Sequence, residues 1–459
     1  MNTSFLKLAE ILAPSDWTSL KKFIGMSHRE DADIMKLFDL YKDKRNHLQE
    51  LIAKSENFEK DFSHLTKKGL LNLHSRLFIE SENWLTFKTV MNDQEKKELI
   101  LNKAYNDNGL YKLADQKAKK LSKFWNNRAV FSYDQERNKA QLLHQQYYSD
   151  NPIKYAKDST LLGDLVNAQL TTTKLSALIY ELELHNWGRL KQIDYSTLLE
   201  SINATVEQLP NNDLSEVLKD LNKVVSNLDL EAFLKVKALL FDNTFEQPSE
   251  LHTLTTLYLI NAGIKLWQNG KFTNASESAE LIEYGLSSGV LMKSGKIPRR
   301  RFFNLIATLG KLKSYAWTQE FIIRWHKNVE TQNTVDTKSL AEALNAFAYQ
   351  KYDLIIPLIR GIEFQDFIEK IRAQGLELIA IFIDRKDNYS FLRNYIANFK
   401  RTIKRNEGKL SNESIKAYTN FVKVVELLVQ RDFRKLTIHL EKYNTLVYRD
   451  WLSTEINKG

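Results

Sequence analysis

Cysteine is absent from the 459-residue chain, which excludes disulfides, thiolate metal sites and cysteine nucleophiles in any compartment. Glycine and proline are scarce, at 15 and 6 residues. That is too little punctuation for the turn-dense texture of sandwiches and barrels, and with Leu, Lys, Asn, Ala and Glu abundant it favours long helices. Apolar runs such as Leu378 to Ile383 fall far short of the ~20 residues that a membrane-spanning helix needs. Glu10 interrupts the apolar N-terminus, which argues for an amphipathic first helix over a secretory segment. A soluble, cytoplasmic protein is expected. No Gly/Ser- or Pro-rich linker separates two bodies, so a chain too long for one small core points to an elongated repeat architecture. Neither sign of charge dominates: 66 Lys+Arg against 57 Asp+Glu leaves a net +9, interspersed along the chain, a mild field that aids encounter with acidic partners without naming one.

Motifs for chemistry are also missing. The nine His residues form no His-Glu-x-x-His, and no phosphate-cradling Gly-x-x-x-x-Gly-Lys-Ser/Thr or Gly-x-Gly-x-x-Gly occurs, so neither a metal nor a cofactor is expected. Carboxylate pairs such as Asp31 and Asp33, or Glu95 and Glu98, suit solvated faces. The string Gly285-Leu-Ser287-Ser-Gly289 has the form of a nucleophile elbow, but an elbow needs a buried strand before the Ser and a helix after it. Residues 279–284 suggest a helix end instead, so a Gly-terminated helix is expected there, and no catalytic residue is assigned.

What is present is a recurring corner: an apolar helix end, a polar turn, one aromatic and a new apolar helix. Tyr352 and Tyr389 lie 37 positions apart, and Phe272, Tyr315, Tyr352, Tyr389 and Phe433 are spaced by 43, 37, 37 and 44, the length of one helix-turn-helix unit. Upstream, Trp187 and Tyr111 stand near multiples of that unit, with further corners expected at 147–150 and 227–230, and another at Glu82-Asn83-Trp84. Two corners are more specific. In Asn108-Gly109-Leu110-Tyr111-Lys112-Leu113-Ala114 and Gly270-Lys271-Phe272-Thr273-Asn274-Ala275, Gly can end a helix in the left-handed conformation, the aromatic can plug the gap between helices and Ala permits close approach.

Gly-x-Tyr/Phe-x-x-Ala resembles the turn and second-helix start of tetratricopeptide repeats. Later corners keep the aromatic but place Thr318, Ile355, Leu392 and Leu436 where Ala would stand, so the resemblance is to a degenerate branch. The layout is also similar to that of bacterial helical-repeat proteins with no known activity. The resemblance implies an all-α fold, a right-handed solenoid of stacked antiparallel helix pairs. Residues 1–75 are expected to form a helical cap and 76–459 the repeat array.

Helical spacing fills the intervals. Ile34, Leu37, Phe38, Tyr41, Leu48 and Leu51 trace one stripe; Phe364, Phe367, Ile368, Ile371, Gly375, Leu378, Ile379 and Phe382 trace another, with Gly375 placed to admit a close neighbour. Ser411 caps a face of Ile415, Tyr418, Val422, Val425 and Val429. Pro14-Ser15-Asp16 reads as a stop followed by a cap for Trp17 to Lys21. Pro357 requires its helix to start late or kink.

Surface candidates for partner binding are basic. Arg299, Arg300 and Arg301 open a helix, and Arg393, Lys400, Arg401 and Lys404 share much of one side of another, opposite Leu392, Tyr395, Ile396, Phe399 and Ile403. Trp267, Trp317 and Trp325 surround the central corners. The expectation is a non-enzymatic scaffold that binds a peptide or protein segment on the concave face of the array. The alternative is a nucleic-acid or acidic-partner binder using the two basic groups.

Overall fold

A computed structural model describes residues 4–29, 32–45, 48, 61–150, 160–191, 193–272, 276–331, 333–364, 366–385, 388–406, 408, 411–443 and 445–458. Among them the fold is all-α: 22 helices and no strand, with three isolated β-bridges. The chain divides into two compact units, residues 1–129 with 133–173, and residues 130–132 with 174–459.

In the first unit, α1 (Ser4–Ala9), α2 (Pro14–Ser27) and α3 (Asp33–Asp43) all pack on α4 (Lys67–Asn92). Their apolar stripes meet in one core, where Phe5 lies 4.9 Å from Tyr41 and Trp17 lies 5.6 Å from Phe38, ring to ring. The Ile34 to Leu48 stripe is buried as expected; Leu51 lies outside the described residues. Pro14 is itself the first residue of α2, because the N–H it lacks would have no helical partner there. Asp16 therefore reaches back to the Ala13 N–H (3.3 Å) from inside the helix instead of capping it from outside. The corner expected at Glu82-Asn83-Trp84 does not exist. With no Gly or Pro to stop it, α4 continues through these residues and past position 75, and Trp84 is core, its indole N–H donating to Ser19 Oγ at 3.1 Å. The α5 (Gln94–Asp107) to α6 (Tyr111–Asn126) corner follows expectation: Gly109 has φ 72°, the Leu110 N–H returns to the Tyr105 carbonyl at 2.8 Å and Ala114 is buried. α7 (Tyr133–Tyr147) packs on α5.

α8 (Leu161–Lys191) crosses from one unit to the other. It runs unbroken through Trp187, which is exposed, so the corner expected there is also absent. A lone Gly188 costs a helix only about 1 kcal/mol. The second unit continues with α9 (Ser196–Gln208), α10 (Asp213–Asn227), α11 (Leu230–Phe241), α12 (Glu250–Gln268), α13 (Ser276–Ser287), α14 (Arg299–Leu312), α15 (Tyr315–Trp325), α16 (Thr334–Ala348), α17 (Ile355–Ile359), α18 (Phe367–Arg385), α19 (Tyr389–Arg405), α20 (Asn412–Val429), α21 (Phe433–Lys442) and α22 (Arg449–Ile456). From α10 onward each helix packs on the next, and α10–α12, α14–α16 and α16–α18 also meet. The corners are chemically explicit. Leu228 (φ 53°) ends α10 before Asp229 caps α11, and Ser314, Asn388, Ser411 and Asp432 each accept a backbone N–H of the helix they open.

The corner aromatics are not the plugs. Tyr389 is 37% exposed and Tyr315 and Tyr352 are only half-buried, whereas Thr318, Ile355, Leu392 and Leu436, three residues on, are all at 0%. A ring at the first helical position lies at the end of its helix; one turn deeper the side chain faces the neighbouring helices. Phe272 does pack, 5.4 Å from Phe233, while Ala275 and the Phe433 side chain lie outside what is described. Pro357 delays its helix: a 3₁₀ turn at Tyr352–Leu354 precedes α17, and the proline falls in the first turn of α17, where no N–H is needed. At 285–289, α13 ends at Ser287, whose hydroxyl donates to the Tyr284 carbonyl at 3.0 Å, and Gly289 is left-handed (φ 81°). No strand precedes the serine.

Candidate functional site

The second unit contains a cavity of about 700 Å³. Its walls come from α12 (Trp267), α14 (Ala307, Gly310, Lys311) and α16 (Leu344, Phe347, Ala348), with Gln350 and Tyr352 from the following corner. The close fit of α14 and α16 depends on Gly310, because a Cβ there would lie 2.7 Å from that of Ala348. Of the three tryptophans expected near the central corners, only Trp267 lines the cavity. Trp317 instead stacks on Phe321 at 5.7 Å, and Trp325 lies 6.5 Å from the same ring.

The remaining wall is the C-terminal segment, residues 446–454. Tyr448, left-handed at φ 56°, places its ring 5.2 Å from Phe347 and 5.1 Å from Phe421, and its hydroxyl donates to the Arg372 carbonyl at 3.2 Å. Gly375 does admit a close neighbour, and that neighbour is this ring: a Cβ would lie 2.9 Å from Tyr448 Cε2. Asn420 Nδ2 donates to the Thr445 carbonyl at 2.9 Å. Arg449 holds the end of α21 through the Leu440 carbonyl at 2.7 Å and the Tyr443 carbonyl. Trp451 packs edge-on against Phe382 at 5.7 Å. At the rim Lys311 Nζ and Asp450 Oδ2 are 2.7 Å apart, both well exposed.

Burial pushes the Tyr448 hydroxyl well above the ordinary tyrosine value and raises Tyr352, with Glu455 adding to the latter, so both stay protonated donors at neutral pH. Among the described residues no three His, Asp or Glu side chains are grouped to hold a metal. Aromatic walls and one replaceable rim ion pair are what a ligand would meet.

The basic candidates lie elsewhere and are unequal. Arg299 reaches across to Glu369 (2.5 Å), a carboxylate only 6% exposed, and is thus committed to an internal pair. Burial raises Glu369 to about 7 despite that cation. Arg300 is exposed and Arg301 half-buried. On α19, Arg393, Lys400, Arg401 and Lys404 are all exposed opposite the buried Leu392, Ile396, Phe399 and Ile403, as their spacing predicts, and Lys400 pairs with Glu426 at 2.5 Å. Tyr395, on the half-buried margin, donates to the Glu377 carboxylate at 2.5 Å.

Two features escape the sequence reading. The C-terminal segment as a cavity wall has no local signal except its aromatic density. The second is a set of Asn amides sunk among apolar residues, each gripping a backbone carbonyl: Asn102 on Ala114 (2.7 Å), Asn222 on Leu178 (3.0 Å), Asn345 on Tyr315 (3.1 Å) and Asn420 on Thr445. An Asn on a helix's apolar stripe, as in Leu344-Asn345-Ala346-Phe347, was the available clue.

Scanned against protein-family models, the sequence matches none, and searches of curated proteins and of solved structures likewise return no match. No helix among the described residues is long and apolar enough to cross a membrane.

Proposed function

We propose that the protein is a non-enzymatic interaction scaffold: a tetratricopeptide-like right-handed solenoid, in the cytoplasm, that takes a peptide or protein segment in the cavity of its second unit. In this reading α10, α12, α14, α16, α18 and α20 are the inner helices of successive pairs. The contacts of α10 with α12, α14 with α16 and α16 with α18 support it, since stacked pairs touch through their inner members. The observation that carries the binding role is the 700 Å³ cavity walled by three of those helices with Trp267, Phe347 and Tyr352, a volume within the ~300–1,000 Å³ typical of ligand sites.

The test is retention of a partner by the full chain at low and high salt, with a photo-crosslinker at position 267 to map where it sits. Binding that survives salt and crosslinks into the cavity is expected. Partners that crosslink only elsewhere on the surface overturn the reading. A second reading, phosphate binding by a nucleic acid, draws on the exposed Arg393, Arg401 and Lys404 of α19, with Arg300 of α14. It predicts a complex that weakens steeply as salt rises.

A further inference from the structure

We infer that residues 445–456, one wall of this groove, are docked there as a displaceable segment, and that the partner is a segment of the same chemistry that takes their place: an aromatic residue, an acidic residue two positions on and a second aromatic, with its carboxylate on Lys311. The inference rests on the scaffold reading above and names its ligand class. The C-terminal segment is held as a bound peptide would be. Asn420 grips a main-chain carbonyl at 2.9 Å, a contact indifferent to side-chain identity. The Tyr448 ring enters a notch that exists only because position 375 is glycine. Its left-handed backbone is a conformation that non-glycine residues avoid, so the ring contacts hold the segment against local strain.

The acidic group is the exchangeable part. Asp450 is 81% exposed and Lys311 58% exposed, a surface pair of little intrinsic strength, which another carboxylate can take over. The rest of the cavity lining includes three more aromatic side chains, Trp267, Phe347 and Tyr352. The chain's net +9 further favours an acidic partner.

The probe is a fluorescent synthetic peptide of residues 446–455, Leu-Val-Tyr-Arg-Asp-Trp-Leu-Ser-Thr-Glu, titrated into full-length chains and read by anisotropy. Asp450→Lys opposes Lys311 and loosens the cis segment from outside the fold; Tyr448→Ala loosens it from within. Expected is tighter probe binding than to wild type, by about fivefold for Asp450→Lys and tenfold or more for Tyr448→Ala. The charge swap Lys311→Glu with Asp450→Lys restores the rim pair in cis and sets a carboxylate against the probe's own aspartate, so the gain of Asp450→Lys should be lost and binding should fall to the wild-type level or below it. Because the chain has no cysteine, Ala307→Cys supplies a single thiol in the cavity wall, and bound probe should slow its labelling by a maleimide. If Tyr448→Ala proves unfolded by circular dichroism, Asp450→Lys and the swap decide alone. Equal binding to wild type, Asp450→Lys and the swap, or binding to none, overturns the inference, while a cellular partner crosslinked into the cavity would leave the scaffold reading standing. Dimerisation of Asp450→Lys at concentrations where wild type is monomeric would assign the groove to a second copy and overturn a foreign segment.

Discussion

Glu369 is a carboxylate that burial makes costly to ionise. It is buried, and burial outweighs Arg299 to lift it from 4.5 to about 7. A carboxyl whose folded value is raised holds its proton more tightly in the native state, so its favourable contribution is full below 4.5 and is lost as pH rises through 7. His74 works the other way: burial lowers it from 6.5 to about 4, so the first unit loses stability as pH falls from 6.5 towards 4. His252, also lowered by burial, opposes Glu369 within the second unit. Thermal melts of wild type and Glu369→Gln across pH 4.5 to 7.5 isolate the carboxyl. The variant should lack the decline that Glu369 causes, and parallel pH profiles for the two chains would show that this carboxyl is ordinary. Asp366 and Arg372 act on it from nearby positions, but nothing local in Phe367-Ile368-Glu369-Lys370 marks it, because the largest cause is burial and the cation that meets it, Arg299, is remote in sequence.

At the scale of the element, the corners separate what a repeat period can tell from what it cannot. The 37-residue spacing located the turns at 352 and 389, and local capping chemistry located the Ser411 cap, because turn chemistry is carried by the residues themselves. It assigned the plug to the wrong residue, since an aromatic at the first helical position and an aliphatic residue three later share a face and differ only in depth. Leu392→Ala and Tyr389→Ala settle that depth by experiment. The fully buried leucine should cost about 2–5 kcal/mol of stability, the exposed tyrosine about half a kcal/mol. Similar losses at both positions would restore the aromatic plug. Trp84 and Trp187 mislead for a related reason: a tryptophan beside Asn or Glu resembles a corner, yet without Gly-plus-cap chemistry nothing stops the helix. Asn345→Ala should cost about 1–3 kcal/mol, the Tyr315 carbonyl losing its donor, and denaturant midpoints will show whether these amides tie helix pairs together.

For the whole molecule, the all-α class followed from few glycines and prolines and from 3.6-residue periodicity, and circular dichroism should show a strongly helical spectrum with essentially no sheet. The candidate groove was less legible: Trp267 marked one wall, but the opposite wall is brought from residues 446–454 by tertiary packing that no local pattern encodes. The two proposed modes of binding make opposite use of α19. Lys400→Glu with Lys404→Glu changes only its exposed side; Lys400 gives up the Glu426 pair, while Leu392, Ile396, Phe399 and Ile403 stay packed. Stability should therefore change by about half a kcal/mol per site. A segment bound in the cavity keeps its affinity. A nucleic acid bound along α19 would weaken, with a salt dependence shallower by about one unit for each phosphate contact removed. Gel shifts of wild type with RNA and DNA at low salt therefore come first: a tight, salt-sensitive complex lost in the double variant would move the function from the groove to this helix.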